Sequence, residues 1–358
     1  MPSLKEIKGR INSISSTLAI TSAMKMVAAA KLQKAQMAIQ NMLPYERRLH
    51  SMLIDLMGAM NISAAASEDG SVRGSGSAER GFDQSGDRLS LSNRHDLAGM
   101  DGAYSLMAQR EVRKVAIVAF ASNSSLCGAF NSNAIREATA VINEYRASGL
   151  RDSDIVVYSV GRKMAEAMKN LGFPSPADFT KMSDSPSYDA ASALAQELFD
   201  GFVSGRFDKV ELVYNHYKST SSQPTTRQTY LPLSLADATA DLHAGKIADS
   251  SSESDTNRGA EPVGAPVVRQ GSPTTEDLIV EPSKEALIAT LLPKVIRLRI
   301  FTTLLDSAAA EHAARTVAMQ LATDNGNDLL QELTLEYNKG RQQKITSEIL
   351  DLVGGSMQ

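Results

Sequence analysis

The chain has no tryptophan, few aromatic residues and a single cysteine. One cysteine, Cys127, excludes an internal disulfide, so a reducing compartment is expected. No window reaches the ~18 consecutive apolar residues of a membrane span. The opening residues, Met1-Pro2-Ser3-Leu4-Lys5, have neither a signal-peptide apolar core nor an Arg/Ser-rich transit character, which predicts a soluble chain that stays where it is made. Chemical motifs are missing too. No Gly-x4-Gly-Lys-Ser/Thr loop is present, and Asn123-Ser124-Ser125-Leu126-Cys127-Gly128 stands where a dinucleotide-binding fold carries G-x-G-x-x-G. Without clustered glycines, backbone amides cannot close around a phosphate. The five histidines are scattered, with no H-E-x-x-H and no Cys/His pair at metal spacing. No cofactor and no metal are expected.

Cys127 could act as a nucleophile with His216 or His312 as base, but no cysteine-protease signature surrounds it, and a small buried cysteine at a strand end is the simpler reading. Glu311-His312 reads as a surface pair on a helix. The sequence therefore points to a mechanical or structural part and not to an enzyme.

What is present is helix. Apolar residues recur at helical spacing from Leu287 through Leu305, Val317, Leu333 and Ile345 to Leu352, which predicts one helix over 283–353, on the order of 100 Å long. Ser283 is its expected N-cap, Pro293 should kink it, and Asn325-Gly326-Asn327 is a weak point. No globular core is that deep. The natural partner is the other end of the chain, where Leu4, Ile7, Ile11, Ile14 and Leu18 form an a/d seam. Ser3 with Glu6 makes a capping box for a helix running to about Leu56. From Ile20 to Lys31 that helix is small and apolar around most of its circumference. Met24, Met26 and Val27 cannot all face one partner helix, so other chains are expected around it. The same helix is basic, with Lys5, Lys8, Arg10, Lys25, Lys31, Lys34, Arg47 and Arg48 against Glu6, Glu46 and Asp55. A solvated face, an acidic protein partner and nucleic acid would all suit it.

Between the helices, residues 61–109 and 236–276 are rich in Ser, Gly and Asp or Pro and read as polar, mostly flexible insertions, with a short helical piece possible near Leu106. The near-continuous apolar run 112–122 reads as a buried parallel strand. Helix from about Asn131, strand 154–160, helix 162–171, an extended stretch 178–182, helix 188–203 and strands 209–218 and 225–233 follow, the last two as a hairpin; 278–280 returns to strand character. The expected fold class is α/β: a long antiparallel coiled coil of N- and C-terminal helices plus a central α/β (Rossmann-like) sheet domain. The expected organisation is a shaft helix over 1–58, an insertion over 59–110, the α/β domain over 111–282 and a second shaft helix over 283–358.

The two ends also carry a resemblance. Ile7-Lys8-Gly9-Arg10-Ile11 and Ile20-Thr21-Ser22-Ala23-Met24-Lys25-Met26-Val27-Ala28-Ala29-Ala30-Lys31-Leu32 resemble the opening helix of F-type ATP synthase gamma subunits. Glu311-His312-Ala313-Ala314-Arg315, Ala322-Thr323-Asp324-Asn325 and Tyr337-Asn338-Lys339-Gly340-Arg341-Gln342-Gln343-Lys344-Ile345-Thr346-Ser347-Glu348-Ile349 are similar to that family's closing helix. Leu126-Cys127-Gly128 with Asn131, and Gln223-Pro224, agree in the middle. Where the family usually has Asp-Arg before Leu-Cys-Gly, this chain has Ser124-Ser125, and the two polar insertions are unlike compact members. The paired cysteines of plastid members are absent.

The resemblance implies a non-catalytic central rotor of a proton-translocating ATP synthase, one copy per complex. Its partners would be the alpha and beta subunits of the catalytic hexamer, the epsilon subunit and the membrane c-ring, with no nucleic acid. The location implied is peripheral, on the cytoplasmic side of a bacterial plasma membrane. Met24, Lys25 and Met26, with Arg341, Gln342 and Thr346, would contact beta. Ile349, Leu352, Val353 and Met357 would form an apical bearing.

Overall fold

The computed structural model describes residues 3–59, Leu106, 110–233 and 284–356. The N-terminal helix α1 spans Leu4–Ala59. Its start is capped as expected on one side only: Ser3 Oγ accepts the Glu6 amide at 3.3 Å, while the Glu6 carboxylate accepts from Arg10. The middle of the chain folds as β1 (Val115–Phe120), α2 (Phe130–Ala147), β2 (Ile155–Val160), α3 (Arg162–Asn170), α4 (Thr180–Asp184), α5 (Tyr188–Val203), β3 (Lys209–Asn215) and β4 (Thr225–Leu231). The last helix, α6, runs Lys284–Ser356 without a break at Pro293. At 1.5 Å per residue it is about 110 Å long. The strand character at 278–280 and both polar insertions lie outside the described residues, apart from Leu106, which is buried in a turn.

The sheet order is β2-β1-β3-β4, with β1 parallel to β2 and β3 and the hairpin partner β4 antiparallel. β1 is buried on both faces, as its unbroken apolar run requires. Its side chains alternate between two cores. Val115, Ile117 and Ala119 pack on α2 and α3 through Ala134, Ile142, Met164 and Met168. Ala116, Val118 and Phe120 face Leu194, Leu198 and Phe202 of α5, together with Leu49 and Leu53 of α1 and residues 288–304 of α6. The roots of both long helices thus form part of the domain's core. The segment expected to be extended over 178–182 is instead the start of α4. Asp178 Oδ1 accepts the Thr180 amide at 2.9 Å and turns the chain into a helix too short for periodicity to reveal.

Beyond the domain α1 and α6 run antiparallel. Leu4 lies against Gly340 and Leu18 against Gly326, the same step on each helix, about four turns. Between and beyond them Thr21 meets Thr323 at 3.1 Å, Lys25 meets Gln320, and Leu32 packs on Ala309 and Ala313. A Cβ on Gly326 would stand 2.6 Å from Leu18 Cδ2. The glycine read as a weak point is a close approach of the two helices, and the space it leaves holds a leucine.

Candidate functional site

In open α/β sheets ligands bind beyond the carboxyl ends of the strands, where the strand order switches direction. Here that place is taken by α6. The loop after β1 lies on it through Cys127, Phe130 and Ala310, and a Cβ on Gly128 would sit 3.8 Å from Ala318. Three backbone donors of this edge are already used. The Ser122 amide bonds Asn131 Oδ1, the Arg162 amide bonds Asn123 Oδ1, and the Lys163 amide bonds the Ser122 carbonyl. Gly161, at φ +99°, passes so close to the loop that a Cβ would meet the Ala121 carbonyl oxygen at 2.0 Å. A cavity of about 10 Å³ remains between Phe120, Ser183, Ser307 and Glu311, room for one water at most. Among the described residues no group of three His, Cys, Asp or Glu is placed to hold a metal.

Cys127 is buried, with Asn131 Nδ2 at 3.2 Å and Ser122 Oγ at 3.7 Å from its sulfur. The histidines weighed as its base are engaged elsewhere: His216 bonds Asp306, and His312 lies beside Arg315. Glu311-His312 is not the surface pair that was expected. Ala308, Ala309, Ala310 and Ala313 draw this turn of α6 against the domain, and Glu311 is buried with it. Burial raises the Glu311 carboxyl above its ordinary value against the pull of Arg315, whose guanidinium donates to it at 2.8 Å. Burial, then Arg315 and Lys31, hold His312 down at about 4.

Sequence reasoning left open what Ser124 does, and missed the collar around it. Arg315 Nη2 donates to Ser124 Oγ at 2.7 Å, tying the β1–α2 loop to α6. The loop between β3 and β4 makes a second tie. Tyr217 donates its amide to Asp306, and its hydroxyl accepts from Gln36 of α1. Arg315 lies in a stretch quoted for the family resemblance; nothing in the sequence pairs Asp306 with His216 or Tyr217.

The residues singled out for partner contact fall into three groups. Met24 and Lys25 are half-buried, and the Lys25 ammonium donates to Gln320 Oε1 at 2.6 Å, so its nearest acceptor belongs to its own chain. Met26 is 62% exposed, with Val27 bare beside it and Ala28 buried on the opposite side. This one turn therefore has a buried face and an apolar face that, among the described residues, is left exposed. Arg341, Gln342 and Thr346 are exposed, the Thr346 hydroxyl donating to the Gln342 carbonyl. They lie past Gly340, which Leu4 at the start of α1 touches, and α6 runs on from there to Ser356 for about 24 Å. Ile349, Leu352 and Val353 are exposed on this extension, Leu352 by 74%. Met357 lies outside the described residues.

A family model described as "ATP synthase" matches residues 3–357. The ATP synthase gamma chain of Phocaeicola vulgatus is 46% identical over 357 residues, covering 100% of both chains. That of Bacteroides thetaiotaomicron is 45% identical over 358 residues with the same coverage, and that of Flavobacterium johnsoniae is 35% identical over 356 residues, covering 99% of this chain and 98% of its own. Among solved structures, a chain of the Euglena gracilis mitochondrial ATP synthase (OSCP/F1/c-ring, rotational state 3) superposes with a TM-score of 0.52. It is 18% identical and covers 99% of this chain and 93% of its own, a likeness of fold.

Proposed function

Because the chain belongs to the ATP synthase gamma-chain family, we propose that it is the non-catalytic central stalk of such a complex. The helical pair turns inside a ring of alpha and beta subunits, one copy per complex, while the sheet domain sits on the epsilon subunit and the c-ring. Rotation driven by proton flow presents a different face of the shaft to each beta subunit in turn. A shaft of this kind biases the nucleotide states of beta only through contacts that differ between those states. An asymmetric surface is what that requires, and the exposed Met26 and Val27 with Ala28 buried on the opposite side give α1 one there.

The observation that carries the reading is the exposed apolar surface of α6 past Gly340, at Ile345, Ile349, Leu350 and Leu352. Ile349, Leu352 and Val353, with Met357, form the apical bearing: an apolar helix tip makes few directional bonds and so can turn in an apolar collar. Arg341, Gln342 and Thr346 supply polar contact to beta just below it. Met24, Lys25 and Met26 supply the matching contact from α1, with Lys25 exchanging Gln320 for an acidic partner. No helix among the described residues is long and apolar enough to cross a membrane, which suits a peripheral subunit on the cytoplasmic side of a bacterial plasma membrane.

Purification through a tag on this chain, with the captured subunits identified by mass, tests the reading. Capture of alpha, beta and epsilon in a complex that hydrolyses ATP is the expected result. Capture of nucleic acid, or of the chain alone from cells that contain alpha and beta, would refute it.

A further inference from the structure

Asp306 of α6 grips the β3–β4 loop with both carboxylate oxygens. One accepts the Tyr217 amide at 2.9 Å, and the other lies 2.6 Å from His216 Nδ1. Tyr217 carries the connection on to α1 through Gln36, at 2.6 Å from its hydroxyl. The loop is thereby tied to both long helices at one level, over the apolar contact of Leu32 with Ala309 and Ala313. The two partners differ in exposure: the Asp306 side chain is 16% exposed and the His216 ring 50%. The ring can exchange protons with solvent while the carboxylate it binds is shielded.

We propose that His216 and Asp306 form a protonation-dependent clamp between the sheet domain and the helical pair, tighter when the imidazole is charged. Among the described residues, α6 presents Asp306 to the ring and the loop itself presents Lys218, while neutral Gln36 of α1 bonds the neighbouring Tyr217 hydroxyl. The β4 side offers the Pro224 carbonyl, which accepts the His216 amide. The hydrogen bond to Asp306 holds the imidazole above its ordinary value; partial burial and Lys218 pull the other way.

The charged ring is thus favoured more in the folded chain than in the unfolded one. The clamp's contribution is complete below the unfolded value, about 6.5, and is lost as pH rises through the raised folded value. A neutral ring can still donate from Nδ1, so what disappears is the charge assistance, about half the strength of such a bond. The clamp itself does not depend on the proposed rotor role. Its consequence does: in a rotating shaft this joint passes torque between domain and helices, and its stiffness follows pH.

The test uses the full chain. The His216 ring is titrated by NMR in the wild type and in Asp306→Asn, and Tm is followed from pH 5.5 to 8.5 in the wild type, His216→Gln, Asp306→Asn and the double variant. Asparagine keeps an acceptor for the Tyr217 amide and can pair with a neutral ring, so it removes chiefly the charge. Expected are a lower His216 midpoint in Asp306→Asn than in the wild type, a Tm deficit in each single variant that shrinks as pH rises, and a double variant no worse than the poorer single one. Equal midpoints, or a deficit in His216→Gln that does not change with pH, overturn the clamp. Should Asp306→Asn not fold, the pH profile of His216→Gln decides alone. Failure to capture alpha and beta would remove the rotor role and leave these measurements standing.

Discussion

The two halves of α6 carry similar apolar spacing and meet different surroundings. From Ile288 to Ala313 the helix is enclosed: Leu292, Ile296, Ile300, Leu304 and Ala309 are buried against the sheet, α5 and α1. From Leu321 onward it is largely bare, with Leu329, Leu335, Ile345, Leu350 and Leu352 exposed and Leu333 an exception. Apolar side chains in the first half stabilise this chain's own fold. Those in the second half leave water only when something else covers them. Periodicity records that a face is apolar and is silent on who covers it.

The sharpest way to test the comparison is to truncate one leucine in each half. Leu304→Ala removes a side chain buried in the core shared by sheet and helices and should destabilise the isolated chain by about 2–5 kcal/mol in denaturant unfolding. Leu352→Ala should leave that unfolding within about 0.5 kcal/mol and instead reduce the yield or coupled activity of the assembled complex. Equal losses of chain stability in the two variants would erase the distinction.

The enclosed half should also be the acid-sensitive one. His50 of α1 is buried there, with no hydrogen-bond partner for Nδ1 among the described residues, and burial followed by the charge of Arg299 lowers it from 6.5 to about 4. The fold therefore favours the neutral ring. Between pH 6.5 and about 4 the unfolded chain takes up the proton first, so stability falls as pH falls, and above pH 6.5 His50 contributes nothing to the slope. The loss by pH 4 is on the order of 3 kcal/mol at most. His50→Gln should remove that part of the profile, seen as two unfolding curves against pH that converge on acidification. Parallel curves would show that His50 is not held neutral.

Gly326 marks the boundary between the halves. Gly326→Leu gains about 1 kcal/mol of helix propensity and must displace Leu18, an overpacking that costs about 1–3 kcal/mol. A net loss of about 1 kcal/mol is expected, recovered by Leu18→Ala in the same chain. If the second substitution adds to the loss, the two helices do not meet there in this register.

Much of the fold was legible. β1 announces itself as an unbroken apolar run, α5 has the bounds its periodicity gives, and the antiparallel pairing follows from two terminal helices too long for any core. What escaped depends on tertiary neighbours. Gly326 reads as a flaw until Leu18 is set against it. Glu311 reads as surface until the alanines around it carry it under the domain. His216, Tyr217 and Asp306 lie ninety residues apart in pattern-free positions, and only the folded loop joins them. The candidate contact residues rest on family resemblance alone, since an exposed Arg341 looks like any solvated helix position.

Arg341 gives the smallest expected effect on the chain and the most selective one on the assembly. It is exposed on α6, one residue past Gly340, which lies against Leu4 of α1. Arg341→Ala should change unfolding of the isolated chain by less than about 0.5 kcal/mol, because it opens no cavity and strands no buried partner. If its guanidinium meets an acceptor on beta, the loss in the complex is about 1.5–3 kcal/mol of contact. It would be read as reduced complex yield or reduced proton-driven ATP synthesis at equal protein. Arg341→Lys keeps the charge but loses the planar fork and should fall between wild type and alanine. Normal yield and unchanged synthesis in Arg341→Ala would reduce this residue to an ordinary solvated position and move the polar contact elsewhere on the bare half of the helix.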